Sequence, residues 1–178
     1  TQSDYNRFNP SKSLVDTYLC IDGKPAVRGY EYANNPEVRL SPLYKEEEYA
    51  DYWKNRDPRM EQTIMKPGSP WWGGNDGINN FDVFEVPRFV NKGRTGSVTL
   101  TGFYFKKYSS ASTSGVPGKD YNDIIIMRYA EILLNYIEAI YHYQNEQVTQ
   151  QQIDRSINLL RNRVGMHPMI LTELVDWN

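Results

Sequence analysis

The residues best suited to chemistry in this chain are two adjacent tryptophans in a segment rich in glycine and proline. Trp71 and Trp72 are followed by two glycines and then by Asn75 and Asp76. A flat indole face suits the C–H face of a sugar ring, while amide and carboxylate oxygens suit its hydroxyl groups. Glycine also lets the backbone approach a ligand closely. The segment therefore predicts a carbohydrate-binding site, and the alternative is that the indoles cover a small core beneath a loop.

Three further aromatic residues are weaker candidates for ligand binding: Tyr30, Tyr32 and Trp53. Trp53 stands at the end of a predicted helix, where a large aromatic side chain is commonly buried. Its alternative interpretation is a core residue.

A metal site is not predicted, although two groups of residues contain side chains of the types that bind metal ions. The first group is Asn75, Asp76, Asn79 and Asp82. Its spacing does not match the twelve-residue calcium loop with a terminal bidentate glutamate, and turn formation is the preferred explanation of these residues. The second group shares one helix face and comprises Glu131, Asn135, Glu138 and His142. A metal there would need ligands from other helices, so the simpler interpretation is a polar stripe, with Arg128 and Arg161 pairing with the carboxylates.

No catalytic residues are predicted. The chain has no nucleophile elbow, no phosphate-binding loop and no dinucleotide fingerprint. Two carboxylates suited to glycoside hydrolysis stay possible, because separation in sequence does not fix separation in space. Nothing in the sequence selects such a pair, so we predict a binding protein that is not an enzyme and needs no cofactor.

Composition narrows the class of protein further. The 178 residues carry a net charge of -2 and include 14 Tyr, 6 Phe and 4 Trp, and the mean hydropathy is -0.68. Such a chain should fold with a modest core and many polar loops. Lys and Arg are scattered, which argues against nucleic acid as a partner. Cys20 is the only cysteine, so neither an intrachain disulfide nor a cysteine zinc site is possible.

The first part of the chain, residues 1–127, reads as a loop-rich, ligand-binding subdomain. Ser41 and Pro42 predict the start of a helix that runs to about Trp53 and is ended by Asp57-Pro58. Residues 81–90 and 97–108 alternate in the manner of short strands. Residues 109–118 are a Ser, Thr, Gly and Pro tract and predict a surface loop.

Residues 128–165 predict a hairpin of two amphipathic helices, and residues 166–178 begin a further segment. Apolar residues recur at helical spacing as far as Tyr143. Thr149 and Gln152 then form a capping box, and Gly165 supplies a left-handed stop to the second helix. The hairpin is close in length to a tetratricopeptide unit, which cannot bury both of its faces alone. The fold class predicted is mostly α with irregular loops and short strands (α+β).

Several motifs give the chain a resemblance to a known family. Residues 126–139 (IMRYAEILLNYIEA) and 157–165 (INLLRNRVG) resemble the paired helical signatures of the SusD/RagB family. Residues 55–60 (NRDPRM), 101–103 (TGF) and 106–108 (KKY) resemble further elements, in the family's order. Ile137 stands where the family usually has alanine. The family's N-terminal helical repeats and its last segments have no counterpart in this sequence, which is expected to be a piece of the C-terminal half.

The resemblance implies a SusD-like fold and a surface-exposed lipoprotein of the outer membrane, typical of Bacteroidota. Such a protein would bind an oligosaccharide or polysaccharide nutrient and deliver it to a SusC-like TonB-dependent transporter. The lipid anchor would lie outside this sequence. A helical-repeat adaptor that binds other proteins is the alternative, and a glycosidase fragment is a third possibility.

Overall fold

The architecture is mostly helical, as predicted. The computed structural model describes residues 9–28, 38–68, 99–107 and 125–174. Its elements are α1 (Lys12–Thr17), a 3₁₀ helix (Tyr49–Trp53), α2 (Pro58–Thr63), α3 (Tyr129–Tyr143), α4 (Gln150–Asp154), α5 (Ile157–Asn162) and α6 (Leu171–Leu174). Within these ranges the only β-structure is two isolated antiparallel bridges, Cys20 with Arg56 and Ile64 with Phe105.

Helix α1 is tied at both ends by side chains. The Ser11 hydroxyl accepts a hydrogen bond from the Leu14 amide at 3.1 Å, which caps the N-terminus. At the other end, the buried Arg56 guanidinium donates to the carbonyls of Val15 and Tyr18, at 2.7 Å each. A cation is favourable there because the last carbonyls of a helix are partly negative and lack intrahelical partners. Residues 54–57 are thereby held against the end of α1.

The helix predicted from Pro42 to Trp53 is wrong over most of its length. The Ser41 hydroxyl accepts from the Leu43 amide, but it also donates to the Asp22 carboxylate at 2.8 Å. This long-range contact holds Ser41 in a turn, and only Tyr49–Trp53 becomes helical, as a 3₁₀ helix. The pair Asp57-Pro58 begins α2 and does not end a helix, because the Asp57 carboxylate accepts from the Arg59 amide as an N-cap.

An aromatic core lies between α1, the 3₁₀ helix and α2. Its buried members are Val15, Trp53, Met60, Ile64 and Phe103. The rings of Tyr49 and Tyr52 pack around them, with centroids 5.2 Å from Trp53 and Phe103 respectively, both edge to face. The core also explains how residues 99–107 are positioned, since the Tyr49 hydroxyl donates to the Gly102 carbonyl at 2.6 Å.

The strand predicted over residues 97–108 is wrong where the structure describes it. Residues 99–103 form a tight turn, in which the buried Thr99 hydroxyl donates to the Phe103 carbonyl at 2.8 Å. The turn is followed only by the single bridge at Phe105. The predicted strand at 81–90 and the predicted loop at 109–118 lie outside the described residues.

The predicted hairpin is present, with a break in its second helix. α3 ends near Asn145 and Glu146, which both have positive φ. The capping box is confirmed, because the Thr149 hydroxyl accepts from the Gln152 amide at 3.3 Å and the Gln152 side chain accepts from the Thr149 amide at 2.8 Å. The second helix is divided into α4 and α5 at Arg155-Ser156. Gly165 has the predicted left-handed conformation, with φ 72°.

The hairpin buries one side of α3 and leaves the other exposed. Leu133 and Ile137 are buried, as is Ile153 of α4. Several large apolar residues in and before α3 are exposed: Ile125, Ile126, Met127, Tyr129, Ile132, Leu134, Tyr136, Tyr141 and Tyr143. No helix among the described residues is long and apolar enough to cross a lipid bilayer.

Candidate functional site

Of the residues predicted to bind a ligand, Trp53 is the one that the structure describes. Its side chain is 4% exposed and packs against Tyr49 and Phe103 in the aromatic core. This position favours the alternative interpretation of Trp53 as a core residue, because it offers no free ring face to a sugar. The other predicted site residues lie outside the described ranges and remain predictions: Trp71, Trp72, Asn75, Asp76, Tyr30 and Tyr32.

A polar cleft of about 560 Å³ lies where the first part of the chain meets the hairpin. Its walls come from the end of α1, from α2, from the residue before α3 and from the residue after α5. The lining residues are Thr17, Tyr18, Leu19, Asp57, Arg59, Gln62, Thr63, Lys107, Arg128 and Arg163. The volume falls within the range of small-ligand sites, roughly 300–1,000 Å³.

Positive charge dominates this cleft. Four basic side chains line it, from Arg59, Lys107, Arg128 and Arg163, against the single carboxylate of Asp57. The Arg59 Nε lies 2.9 and 3.0 Å from the two carboxylate oxygens of Asp57, and its Nη2 also donates to Asp57. Since the Asp57 carboxylate is committed to Arg59, it does not neutralise Arg128 or Arg163.

The electrostatic influence of Arg59 extends into the adjoining hairpin. Its hydrogen bond to Asp57 raises the pKa of Arg59. Burial is the main cause that lowers the pKa of Arg161, and the positive charge of Arg59 adds to it. The Arg161 guanidinium donates to the His167 carbonyl at 3.1 Å. Arg161 therefore lies within electrostatic range of the Arg59–Asp57 pair, but it does not line the cleft.

This cluster of cations was missed by sequence reasoning. Each of the four basic residues is 21 to 48 positions from the next one along the chain. They are scattered in the sequence, and only folding brings them together. The predicted pairing of Arg128 and Arg161 with Glu131 and Glu138 is wrong for the part of the chain that the structure describes. Arg128 lines the cleft and Arg161 bonds to a carbonyl, and neither forms an ion pair with those carboxylates.

A second, more apolar hollow of about 310 Å³ adjoins the cleft. It is lined by Lys107, Ile125, Ile126, Met127, Arg128, Ala130, Glu131, Leu134 and Asn135. Lys107 and Arg128 belong to both hollows, so they are neighbours on one surface. Among the residues whose placement is described, no group of three or more His, Cys, Asp or Glu side chains could hold a metal ion.

Comparison with known proteins identifies the family. The model of the SusD family matches residues 1–174, so the chain belongs to the SusD family and the resemblance seen in its motifs is confirmed. Among solved structures, it is similar to a SusD-like carbohydrate binding protein from Bacteroides fragilis NCTC 9343, with 25% identity and a TM-score of 0.57. That match covers 95% of this chain and 31% of the other, so the chain spans about a third of its solved relative. No curated protein matches the sequence.

Proposed function

We propose that the protein is a non-catalytic glycan-binding component of a nutrient-uptake system at the cell surface. It captures an oligosaccharide or polysaccharide and delivers it to a SusC-like TonB-dependent transporter in the outer membrane, where it is held as a lipoprotein. The observation that carries this proposal is the SusD family match over residues 1–174. The likeness to a SusD-like carbohydrate binding protein supports it.

The side chains that line the cleft support the proposal of ligand binding. Glycoside hydrolysis commonly uses two carboxyl groups that face each other across the scissile bond. Among the described residues the cleft offers one carboxylate, Asp57, whose oxygens are already occupied by Arg59. Its other side chains are donors and apolar surfaces, which suit recognition of a ligand.

The proposed contacts with the sugar rings come from the segment that contains Trp71 and Trp72, for which the sequence predicts a loop. Stacking against an indole buries the C–H face of a pyranose, and Asn75 and Asp76 provide hydrogen bonds to hydroxyl groups. The cleft would then bind a second part of the same glycan. Tyr18 and Leu19 give it an apolar wall beside the basic groups.

A panel of polysaccharides tests the proposal. Affinity electrophoresis should show retardation by at least one glycan, and an assay for reducing ends should show no product. Trp71→Ala and Trp72→Ala should each weaken binding at least about fivefold, because a central aromatic contact is commonly worth more than about 1 kcal/mol. Tyr136→Ala is the control, since it removes an aromatic ring that is 46% exposed on α3.

Each possible outcome separates this function from its alternatives. Released reducing sugar would identify a glycosidase instead. Unchanged affinity in both tryptophan variants would remove the Trp71–Trp72 loop from the site. Retardation by none of the glycans would refute the proposal and favour the helical-repeat adaptor, for which the exposed apolar residues of α3 are the supporting observation.

A further inference from the structure

The charge of the cleft indicates which kind of glycan it accepts. Arg128 and Arg163 are exposed, and their guanidinium groups form no ion pair within the described ranges. The whole chain is slightly acidic, with a net charge of -2, so four basic side chains in one cleft are a marked local concentration. We propose that this cleft binds an acidic sugar, one that carries a carboxylate or sulfate group, and so selects anionic over neutral glycans.

Arginine is well suited to that role. A guanidinium presents its donors in a planar fork that matches the two oxygens of a carboxylate or the oxygens of a sulfate. Arg128 precedes α3 and Arg163 follows α5, so the two approach the cleft from different helices of the hairpin. Both guanidinium groups are therefore presented to a ligand in the cleft.

The cleft also provides surfaces for the rest of an acidic sugar. Tyr18 is half-buried, with one side packed on the aromatic core, and it lines the cleft together with Leu19. Gln62 and the hydroxyl groups of Thr17 and Thr63 supply neutral hydrogen-bonding groups for sugar hydroxyls. Positive charge beside an aromatic surface and hydroxyl partners suits an anionic sugar better than an inorganic anion alone.

A nucleic acid is a poorer match to these observations. Its binding draws on many phosphate contacts along an extended basic surface. Here the four basic side chains share one cleft of about 560 Å³, which is the size of a small-ligand site. The ligand that fits is therefore a small, locally charged part of a glycan.

The inference rests on the proposed function, and pairs of sugars matched except for their charge test it. Calorimetry would compare a galacturonic acid trisaccharide with its methyl ester, and a sulfated carrageenan oligosaccharide with the same oligosaccharide after its sulfate groups are removed. At least one acidic member should bind at least about tenfold more tightly than its neutral partner, and added NaCl should weaken that preference. The pair that shows the preference identifies carboxylate or sulfate as the recognised group.

Two double variants localise the effect. Arg128→Gln combined with Arg163→Gln should reduce the preference for the acidic sugar to within about twofold. Lys45→Gln combined with Arg155→Gln removes the same charge at exposed positions outside the cleft and should leave the preference unchanged. Circular dichroism confirms that each variant is folded, and the salt dependence of the unaltered protein needs no variant at all.

The outcomes keep this inference separate from the function on which it rests. Equal affinity for acidic and neutral sugars would overturn the inference and leave glycan binding intact. A preference that survives loss of both arginines would overturn it as well, as would sodium acetate or sodium sulfate binding as tightly as the acidic sugar. Failure of every sugar to bind would refute the proposed function itself, and the inference with it.

Discussion

Asp51 organises residues 47–54 through one side chain. Its Oδ2 accepts hydrogen bonds from the amides of Glu48 at 2.8 Å and Glu47 at 3.0 Å. Its Oδ1 lies 2.5 Å from the Lys54 ammonium. The hydrogen bond from Lys54, followed by those from the two amides, lowers the pKa of Asp51 to about 2. The ionised carboxylate is thus bound more favourably in the folded state than in the unfolded chain.

This lowered pKa predicts a specific loss of stability in acid. A carboxylate whose folded pKa is below its unfolded value near 3.8 stabilises the fold fully above about pH 5. The stabilisation is lost as the pH falls toward about 2. Urea unfolding of Asp51→Asn should therefore show a deficit relative to the unaltered protein that is constant above about pH 5 and shrinks on acidification. A deficit that does not change with pH would assign Asp51 a purely geometric role.

Residue type alone predicts some residues of the candidate site and not others. The binding role of Trp71 and Trp72 is a prediction from residue type alone, because aromatic and polar groups in a glycine-rich segment have a recognisable composition. The basic cleft was not predicted, since no local pattern relates Arg59 to Lys107 or Arg163. Trp53 could be placed in either role from the sequence, and its burial against Tyr49 and Phe103 is the contact that decides between them.

At the scale of the element, α3 has two faces that differ in burial. Ile137 is 7% exposed and faces the hairpin, whereas Ile132 is 50% exposed. Burial of an aliphatic side chain contributes through removal of its surface from water and through close packing. The two isoleucines therefore offer the same chemical change in opposite environments within one helix.

Truncation of each isoleucine should separate packing from helix propensity. Ile137→Ala should lower the free energy of unfolding by about 2–4 kcal/mol, because it leaves a cavity in the hairpin. Ile132→Ala should change it by less than about 1 kcal/mol, since alanine favours the helix and little buried surface is lost. Urea denaturation of both variants checks this. Similar losses for the two would mean that the exposed face of α3 is covered in solution.

Helices could be predicted from the sequence where the residues that determine them lie close together in the chain. The hairpin followed from helical spacing, from the Thr149–Gln152 capping box and from Gly165, which all act within a few residues. The prediction of a helix from Pro42 was wrong because the Ser41 hydroxyl donates a hydrogen bond to Asp22, 19 positions earlier. The prediction of a strand at 97–108 was wrong because the Thr99 side chain closes a turn through hydrogen bonds with Phe103 and Gly102. Neither contact has a signature in the surrounding sequence.

At the scale of the molecule, the start of the described chain is joined to the hairpin. The His167 amide donates to the Ile21 carbonyl at 3.0 Å. Arg161 donates to the His167 carbonyl, and the same guanidinium lies directly against Gly23. These residues connect the turn after α1 to the segment that follows α5. Arg59 of α2 and Arg163, which follows α5, both line the basic cleft.

Gly23 lies in close contact with Arg161 where the turn after α1 meets the segment after α5. It has φ +81°, and an added Cβ would lie 2.9 Å from Nη1 of Arg161 and 3.9 Å from the His167 carbonyl oxygen. Gly68 has a similar φ of +73°, but nothing lies within 4 Å of the position of its Cβ. Alanine at either position incurs the left-handed backbone strain, whereas alanine at Gly23 also displaces the Arg161 side chain.

Comparison of these two glycines isolates the contribution of the junction. Gly68→Ala should cost about 1 kcal/mol of unfolding free energy from backbone strain alone. Gly23→Ala should cost about 1 kcal/mol more, because Arg161 must give up its hydrogen bond to His167 to make room. Urea denaturation measures both. Equal costs would mean that Arg161 moves aside freely, in which case the first part of the chain and the hairpin are held together by the backbone bond between His167 and Ile21 without help from this side chain.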